Sequence, residues 1–597
     1  MLKHPTAISS SPHLAVLAIL ALAASLTACG GGSSNSSSRN DASDPMQSFR
    51  NQTLAWGACD ATLLDDHAAA LAKQLGSRMQ CVDMRVPKDW GNPESGMLSI
   101  SVLRVAAGDA KERRGALAFN PGGPGTDGLL TGLAIFSILN GSDPASEQGA
   151  LQLQVLKEYD FIGFSPRGMG ARAQLDCDTE AIERFVDFSP SGALTPANWQ
   201  NALTNSREMT QACKANPLTP FINSDATARD MDLLRELLGD AKLNYFGYSY
   251  GTWLGGWYAS LFPDKVGRMV LDSSMDFTGT HESATLAMAP ARQRIHEQIL
   301  LPYAARHPDF FNLGTNAAEI DAMIKAMSPQ MLDLLGALLG GKTYRSRDAD
   351  NYLGVISAAR GLDAVLAQVP DPASISAVKS ALAAYTFVPN NAQRDDAVRA
   401  DALEIYEELY SPRWLMRTDD PLEVMGGYWA VSCNDTQSLA DDAAWLSTMA
   451  TMVQQTPLYI SGVIQNPCTT WGASTVIKPN IAAMSGLDIL TIQSQFDGAT
   501  PVEGANRYFA KLNAAKRVNV PGEYSHAVFP YADNCIDANV VRYLLGESPK
   551  ARETSCAAKP LPQDPKLQPT TISAYLNPEQ AQAQIDAFKN RIGAGRR

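Results

Sequence analysis

The stretch NYFGYSYGTWLGGWYASLFPDKVGRMVLDSS, residues 244–274, reads as strand, sharp turn, helix and strand in succession. LNYFGYS is short and apolar, as a strand buried on both faces would be. YGTWLGGWYASLFP is a helix of small and aromatic residues, and GRMVLDSS returns to a strand. At the turn stands Ser249, with Gly247 two residues before it and Gly251 two residues after. Glycines at those places permit a turn too tight for Cβ atoms. The turn pushes the serine hydroxyl out at the carboxyl edge of the sheet. There the helix N-terminus and the N–H of Tyr250 can stabilise negative charge. Strand before and helix after is the setting in which a G-x-S-x-G serine acts as a nucleophile. The competing reading is a buried serine in a glycine-rich turn.

A serine hydroxyl needs a base, and in this arrangement the partners follow in the order Ser, Asp or Glu, His. The chain has seven histidines, and only His526 lies beyond the helical middle of the sequence. It sits in PGEYSHAVFP, a loop after the apolar run RVNV. The acid should also follow a strand. LDILTIQSQFDGATP places Asp497 just past an apolar run, in an Asp-Gly turn. Asp488 begins that run and falls at its other end, while Asp272, after RMVL, is the rival acid. The acid would fix the tautomer of His526 and stabilise its imidazolium. A second donor to a developing oxyanion should come from a loop after an early strand. NPGGPG, residues 120–125, is so placed, with Gly123 preferred and Gly122 next to it.

Further strands are legible in GMLSISVLRVAAG, GALAFN and YDFIGF, and a helix in DATARDMDLLRELLGD, which has apolar residues at helical spacing and a closing glycine. This alternation predicts an α/β fold with a mostly parallel, two-faced sheet. From about 277 to 470 the texture turns helical, as in AAEIDAMIKAMSPQMLDLLGALLG, and strands resume afterwards. A helical block interrupting an α/β core is what a cap over a site looks like. The expected division is a signal peptide (1–28), a flexible tether (29–50), the core in two parts (51–276 and 471–560), a helical cap (277–470) and a C-terminal extension (561–597).

The net charge of −13 argues against a nucleic-acid partner, since phosphate binding needs a basic surface. HLAVLAILALAASLTAC, residues 13–29, is apolar, short and preceded by Lys3 and His4. It reads as a signal peptide rather than a membrane span. Its end, Leu26-Thr27-Ala28-Cys29, resembles a bacterial lipobox, which implies cleavage before Cys29 and acylation of its sulfur; ordinary cleavage is the alternative. Acylation would make the protein exported and lipid-anchored at the cell envelope, on the periplasmic side of the outer membrane in a Gram-negative cell. The polar run GGSSNSSSRNDASD would then be the tether. Eight cysteines remain, an even number that suggests disulfides in an exported chain. Neighbour pairing (59–81, 177–213, 433–468, 535–556) is one of 105 connectivities. Zinc is the weaker alternative, because no C-x-x-C pair occurs and no cysteine has a histidine at ligand spacing.

With these residues in view, the chain resembles the tripeptidyl aminopeptidase-like branch of the α/β-hydrolase superfamily, the serine peptidase family that also holds prolyl aminopeptidases. The resemblance rests on CVDMRVPKDWGNP, FNPGGPG, TARDMDLLRELLG, GYSYGTWLGGWYASLFPDKVGRMVLD, AVSCNDT, FDGATP and CIDANVVRYLLGESP, and runs from about Trp56 to Cys556. It implies an α/β-hydrolase fold with a helical cap, a triad of Ser249, Asp497 and His526, and an oxyanion hole that the loop at Gly122 to Gly125 helps to form. It also implies an exported hydrolase that removes short peptides from free N-termini, with no metal or organic cofactor. Two positions depart from the family pattern: Ser165 precedes Pro-Arg-Gly where an Asp is usual, and His526 lacks its usual flanking glycines. Both bear on pocket shape rather than on the triad. Exopeptidase action needs a carboxylate for the substrate ammonium. Glu404, Glu407, Glu408, Glu423 and Asp435 are the candidates in the cap. An esterase with the same triad is the alternative activity, and a non-catalytic binding protein on the same fold is a third class.

Overall fold

The strands that carry the site lie side by side because each is apolar on both faces. The structure, a computed structural model, describes residues 44–187, 192–193, 195–411, 420–438, 441–460, 464–565 and 574–593. Cys29, the expected signal peptide and most of the expected tether lie outside the described residues.

In chain order the strands are β1 (Met79–Pro87), β2 (Met97–Val105), β3 (Gly115–Asn120), β4 (Tyr159–Phe164), β5 (Ile182–Glu183), β6 (Leu243–Tyr248), β7 (Val266–Asp272), β8 (Asp420–Pro421), β9 (Ile489–Ser494), β10 (Lys516–Val520) and β11 (Glu553–Ser555). All but β5 and β8 form one sheet in the order β1-β2-β4-β3-β6-β7-β9-β10-β11. The pairs β1–β2 and β2–β4 are antiparallel, and every later pair is parallel. The strand order reverses between β3 and β6, where crevices form at the carboxyl ends of parallel strands. Ser249 follows β6 directly.

Side chains alternate between two cores, as the period of a strand requires. Ala116, Ala118 and Tyr245 face one, packed with Trp253 and Trp257. Leu117, Phe119, Phe246 and Tyr248 face the other, packed with Ile135 and Phe588. A third core belongs to the helices between β7 and β9, built around Tyr352, Ile356 and Tyr406. Phe185, Val186, Trp199 and Ala202 join this third core although they precede Ser249 in sequence. The helix Pro196–Ala215 makes the connection. Its 20 residues span about 30 Å, so Trp199 at one end and Cys213 at the other bury in different cores.

Four disulfides join the neighbouring cysteines: Cys59–Cys81, Cys177–Cys213, Cys433–Cys468 and Cys535–Cys556. They close sequence separations of 22, 36, 35 and 21 residues, each worth about 3–4 kcal/mol on chain-entropy grounds.

Within the stretch expected to be tether, Gln47–Arg50 is a helical turn and Phe49 buries its ring in the core. At the other end, the expected extension carries the helix Pro578–Gly593, whose Ala581, Ile585, Phe588 and Ile592 bury against the sheet. Their i, i+4, i+7, i+11 spacing puts them on one face.

Candidate active site

Ser249 has φ 57° and ψ −123°. A non-glycine residue held there is strained by about 1–3 kcal/mol, and its surroundings enforce the strain. Its N–H donates to the Asp272 carbonyl at 3.0 Å. A Cβ on Gly247 would lie 2.3 Å from the Gly251 carbonyl oxygen. A Cβ on Gly122 would lie 2.6 Å from the Tyr248 carbonyl oxygen and 2.8 Å from the Ser249 Cβ. The loop after β3 is therefore docked on the elbow with no space for a side chain. Within that loop the Gly122 N–H is taken by Asn120 Oδ1 at 2.9 Å. Among the described residues no protein acceptor takes the N–H of Gly123 or Tyr250.

Asp497 follows β9 and is fully buried. Its carboxylate accepts from the N–H of Ala499 and of Thr500, each at 2.8 Å, and from the Thr500 hydroxyl at 3.0 Å. His526 Nδ1 lies 3.0 and 2.9 Å from its two oxygens. A carboxylate only accepts, so Nδ1 carries the proton and Nε2 is left as the basic atom. The imidazole is buried, edge-on to the Tyr344 ring at 5.5 Å. Among the described residues no hydrogen bond joins His526 Nε2 to Ser249 Oγ; such bonds commonly tighten only around substrate.

Asp272, the rival acid, does another job. Its carboxylate accepts the N–H of Val528 at 2.9 Å and of Phe529 at 2.7 Å, while its carbonyl accepts from Ser249. It thus staples the loop bearing His526 to the elbow bearing Ser249. Burial pushes the Asp272 carboxyl up to about 6, against the pull of those two N–H groups. Asp488 lies at the far end of β9, paired with Arg268 at 2.8 Å, and takes no part.

Ser249, Gly123 and Tyr250 share a cavity of about 270 Å³ with Met275, Met288 and Thr500. A larger, more open groove of about 720 Å³, lined by Asp240, Val266 and Asp488, lies at the amino ends of the strands, the wrong edge for chemistry in a parallel sheet. The acidic groups of the smaller cavity are Asp276 and Glu503, each paired with an arginine: Asp276 with Arg507 at 2.7 Å, Glu503 with Arg294 at 2.9 Å. These four were not picked out from the sequence. They meet from a loop and two helices, and nothing in their local pattern marks them. Of the five cap carboxylates considered for an ammonium, Glu404, Glu407, Glu408 and Glu423 are exposed and do not line this cavity. Asp435 is a buried strut: it accepts from Ser224 N–H at 2.7 Å, Ser224 Oγ at 2.6 Å and Trp253 Nε1 at 2.9 Å. Ser224 Oγ also meets the Tyr250 hydroxyl at 2.6 Å, so Ser224 links Asp435, on the helix Gly426–Asp435, to the first turn of the helix after Ser249.

Asp537 steadies the end of the histidine loop by accepting from the N–H of Tyr531 and Ala532, at 2.8 and 2.9 Å. Burial pushes its carboxyl up to about 7. The native state therefore holds a proton that the unfolded chain releases, and the stability tied to this group falls as pH rises from about 4 to about 7. Asp537→Asn carries no such charge. Apart from a pH-independent offset, it should gain on the wild type across that window, as urea unfolding at pH 4.5 and 7.5 would measure.

Residues 116–533 match the family model described as alpha/beta hydrolase fold. The chain belongs to the alpha/beta hydrolase family. In this hydrolase the three side chains occur in the family's order, Ser249, Asp497, His526. It is 27% identical over 516 residues to the tripeptidyl aminopeptidase of Streptomyces coelicolor, covering 82% of this chain and 85% of that one. It is 26% identical over 528 residues to a Mycobacterium tuberculosis protein named carboxylesterase B, covering 84% and 90%. Over 223 residues it is 32% identical to the Mycobacterium tuberculosis serine protease Hip1, covering 36% and 39%. Among the described residues no group of three or more His, Cys, Asp or Glu side chains could hold a metal ion.

Proposed function

We propose that the chain is a serine peptidase that releases di- or tripeptides from the free N-termini of peptide substrates. Ser249 is the nucleophile, His526 the base and Asp497 its orienting acid. The observation that carries the reading is the buried Asp497–His526 pair in a loop stapled through Asp272 to the strained Ser249. Ser249 Oγ attacks the scissile carbonyl while His526 Nε2 takes its proton; the proton then passes to the leaving amine, and water deacylates the enzyme by the same route. The N–H groups of Gly123 and Tyr250 face the oxyanion. The alignment with a tripeptidyl aminopeptidase along most of both chains supports the peptidase reading. The likeness to a carboxylesterase over a similar span keeps an esterase as the second reading. Lipid attachment at Cys29 and residence at the cell envelope complete the proposal. The lipobox and the four disulfides, which suit an oxidising compartment, support it.

A panel of p-nitroanilides and p-nitrophenyl esters, with free and acetylated N-termini, tests the specificity. Free-amine tripeptidyl anilides should be cleaved, and acetylation should lower kcat/KM at least 100-fold. Turnover of esters alone would establish the second reading instead.

A further inference from the structure

His526 sits in a segment that its own sequence does not favour. Ala527, the next residue, has φ 59°, a left-handed conformation that L residues avoid. The N–H side of the segment is held by the end of β7: Ala527 donates to Ser273 Oγ at 2.8 Å, and Val528 and Phe529 donate to Asp272. The carbonyl side is held from elsewhere. Lys589, on the C-terminal helix Pro578–Gly593, donates from Nζ to the Val528 carbonyl at 2.8 Å. One residue earlier on that helix, Phe588 packs edge-on against Tyr248, the residue before Ser249, with ring centroids 5.4 Å apart. Three residues before Lys589, Asp586 pairs with Arg347, and its carbonyl accepts from Arg345 at 3.4 Å. The turn bearing those arginines grips the histidine from the cap side. The Tyr344 carbonyl accepts the His526 N–H at 2.8 Å, and the Ser346 N–H donates to Ser525 Oγ at 3.0 Å.

We propose that the C-terminal helix is a positioning element of the histidine loop, with Lys589 holding the Val528 carbonyl and Asp586 holding the cap turn behind His526. The helix touches all three parts that must stay in register: the strand leading to the nucleophile, the loop of the base and the cap. Lys589 follows Ile585 by four residues and precedes Ile592 by three, which puts it on their side of the helix, and its Nζ also lies 5.6 Å from the Tyr531 ring centroid. Asp272, Glu523 and Asp537 surround the ammonium with opposite charge, and Lys559 opposes it. Burial outweighs them and lowers the amine to about 8. Lys589 itself acts through the loop and touches no reacting atom.

The inference rests on His526 being the base, so its test reads that step apart from substrate choice. Full-length wild type, Lys589→Met and Lys589→Arg are compared in their rate of phosphonylation by a fluorophosphonate, and in kcat and KM on the best substrate of the panel. Lys589→Met, which keeps the stem and loses the donor, should lower phosphonylation and kcat at least tenfold with KM within about twofold. Lys589→Arg should recover most of the loss. A wild-type rate in folded Lys589→Met overturns the proposal, as does equal loss in kcat and gain in KM, which would mark a general loosening. If Lys589→Met does not fold, Asp586→Ala replaces it: a lower kcat at unchanged KM supports the strap and an unchanged kcat refutes it. Failure of wild type to react at all would instead count against the catalytic reading.

Discussion

Replacing Ser249 with alanine is expected to lower kcat by roughly 10⁴-fold or more while leaving the fold intact. The expectation follows from local geometry. The elbow is built by backbone contacts around position 249, namely its N–H to the Asp272 carbonyl and the docking of Gly122, so loss of the hydroxyl leaves the scaffold in place. Asp497→Asn should cost about 10⁴-fold as well. The amide would present a donor where Nδ1–H needs an acceptor, and it would free the other tautomer. Single-turnover assays with far-UV circular dichroism on both variants check this. The two losses should not add, because nucleophile, base and orienting acid act as one unit.

The largest effect on stability is expected at a pair that does not line the cavity. Arg167, of the FSPRG stretch, is fully buried and pairs with Asp230, of TARDMD. Nε lies 2.7 Å from Oδ2 and Nη2 lies 2.6 Å from Oδ1. Trp90 Nε1 donates to the same carboxylate at 2.9 Å, and the guanidinium also serves the carbonyls of Pro87, Lys88 and Phe221. Burial raises the Asp230 carboxyl, and Arg167 opposes that shift. Arg167→Met would leave a charge and three carbonyls without their partner, and should destabilise the protein by about 3–5 kcal/mol. Adding Asp230→Leu removes the stranded charge and should recover a good part of the loss. Urea unfolding of the single and double variants measures both values. A single variant as stable as wild type would contradict the account of this pair.

What could be read beforehand was whatever a local pattern encodes. The elbow is local: an apolar strand, two glycines and a helix within one short stretch. So are the runs that precede Asp497 and His526. The choice between Asp497 and Asp272 was harder, because a buried aspartate past a strand end looks the same from its neighbours whether it faces an imidazole or two backbone N–H groups. Only the packing of residues 526–529 on β7 separates them. The cavity wall was illegible for a similar reason. Asp276, Arg294, Glu503 and Arg507 are ordinary charges in their own segments and become a paired set only across the fold. Phe185 and Trp199 joined the cap core against the order of the sequence because one long helix bridges two cores. The helix Pro578–Gly593 has a readable apolar stripe, but which surface that stripe covers is a tertiary fact.

The most direct measurement is the site of covalent labelling. Wild-type protein is reacted with a fluorophosphonate, digested and mapped by mass spectrometry, in parallel with His526→Ala. The account expects a single phosphonyl group on the peptide containing Ser249, and its loss or near loss in the histidine variant. Label on another residue, or undiminished label at Ser249 without His526, would contradict it.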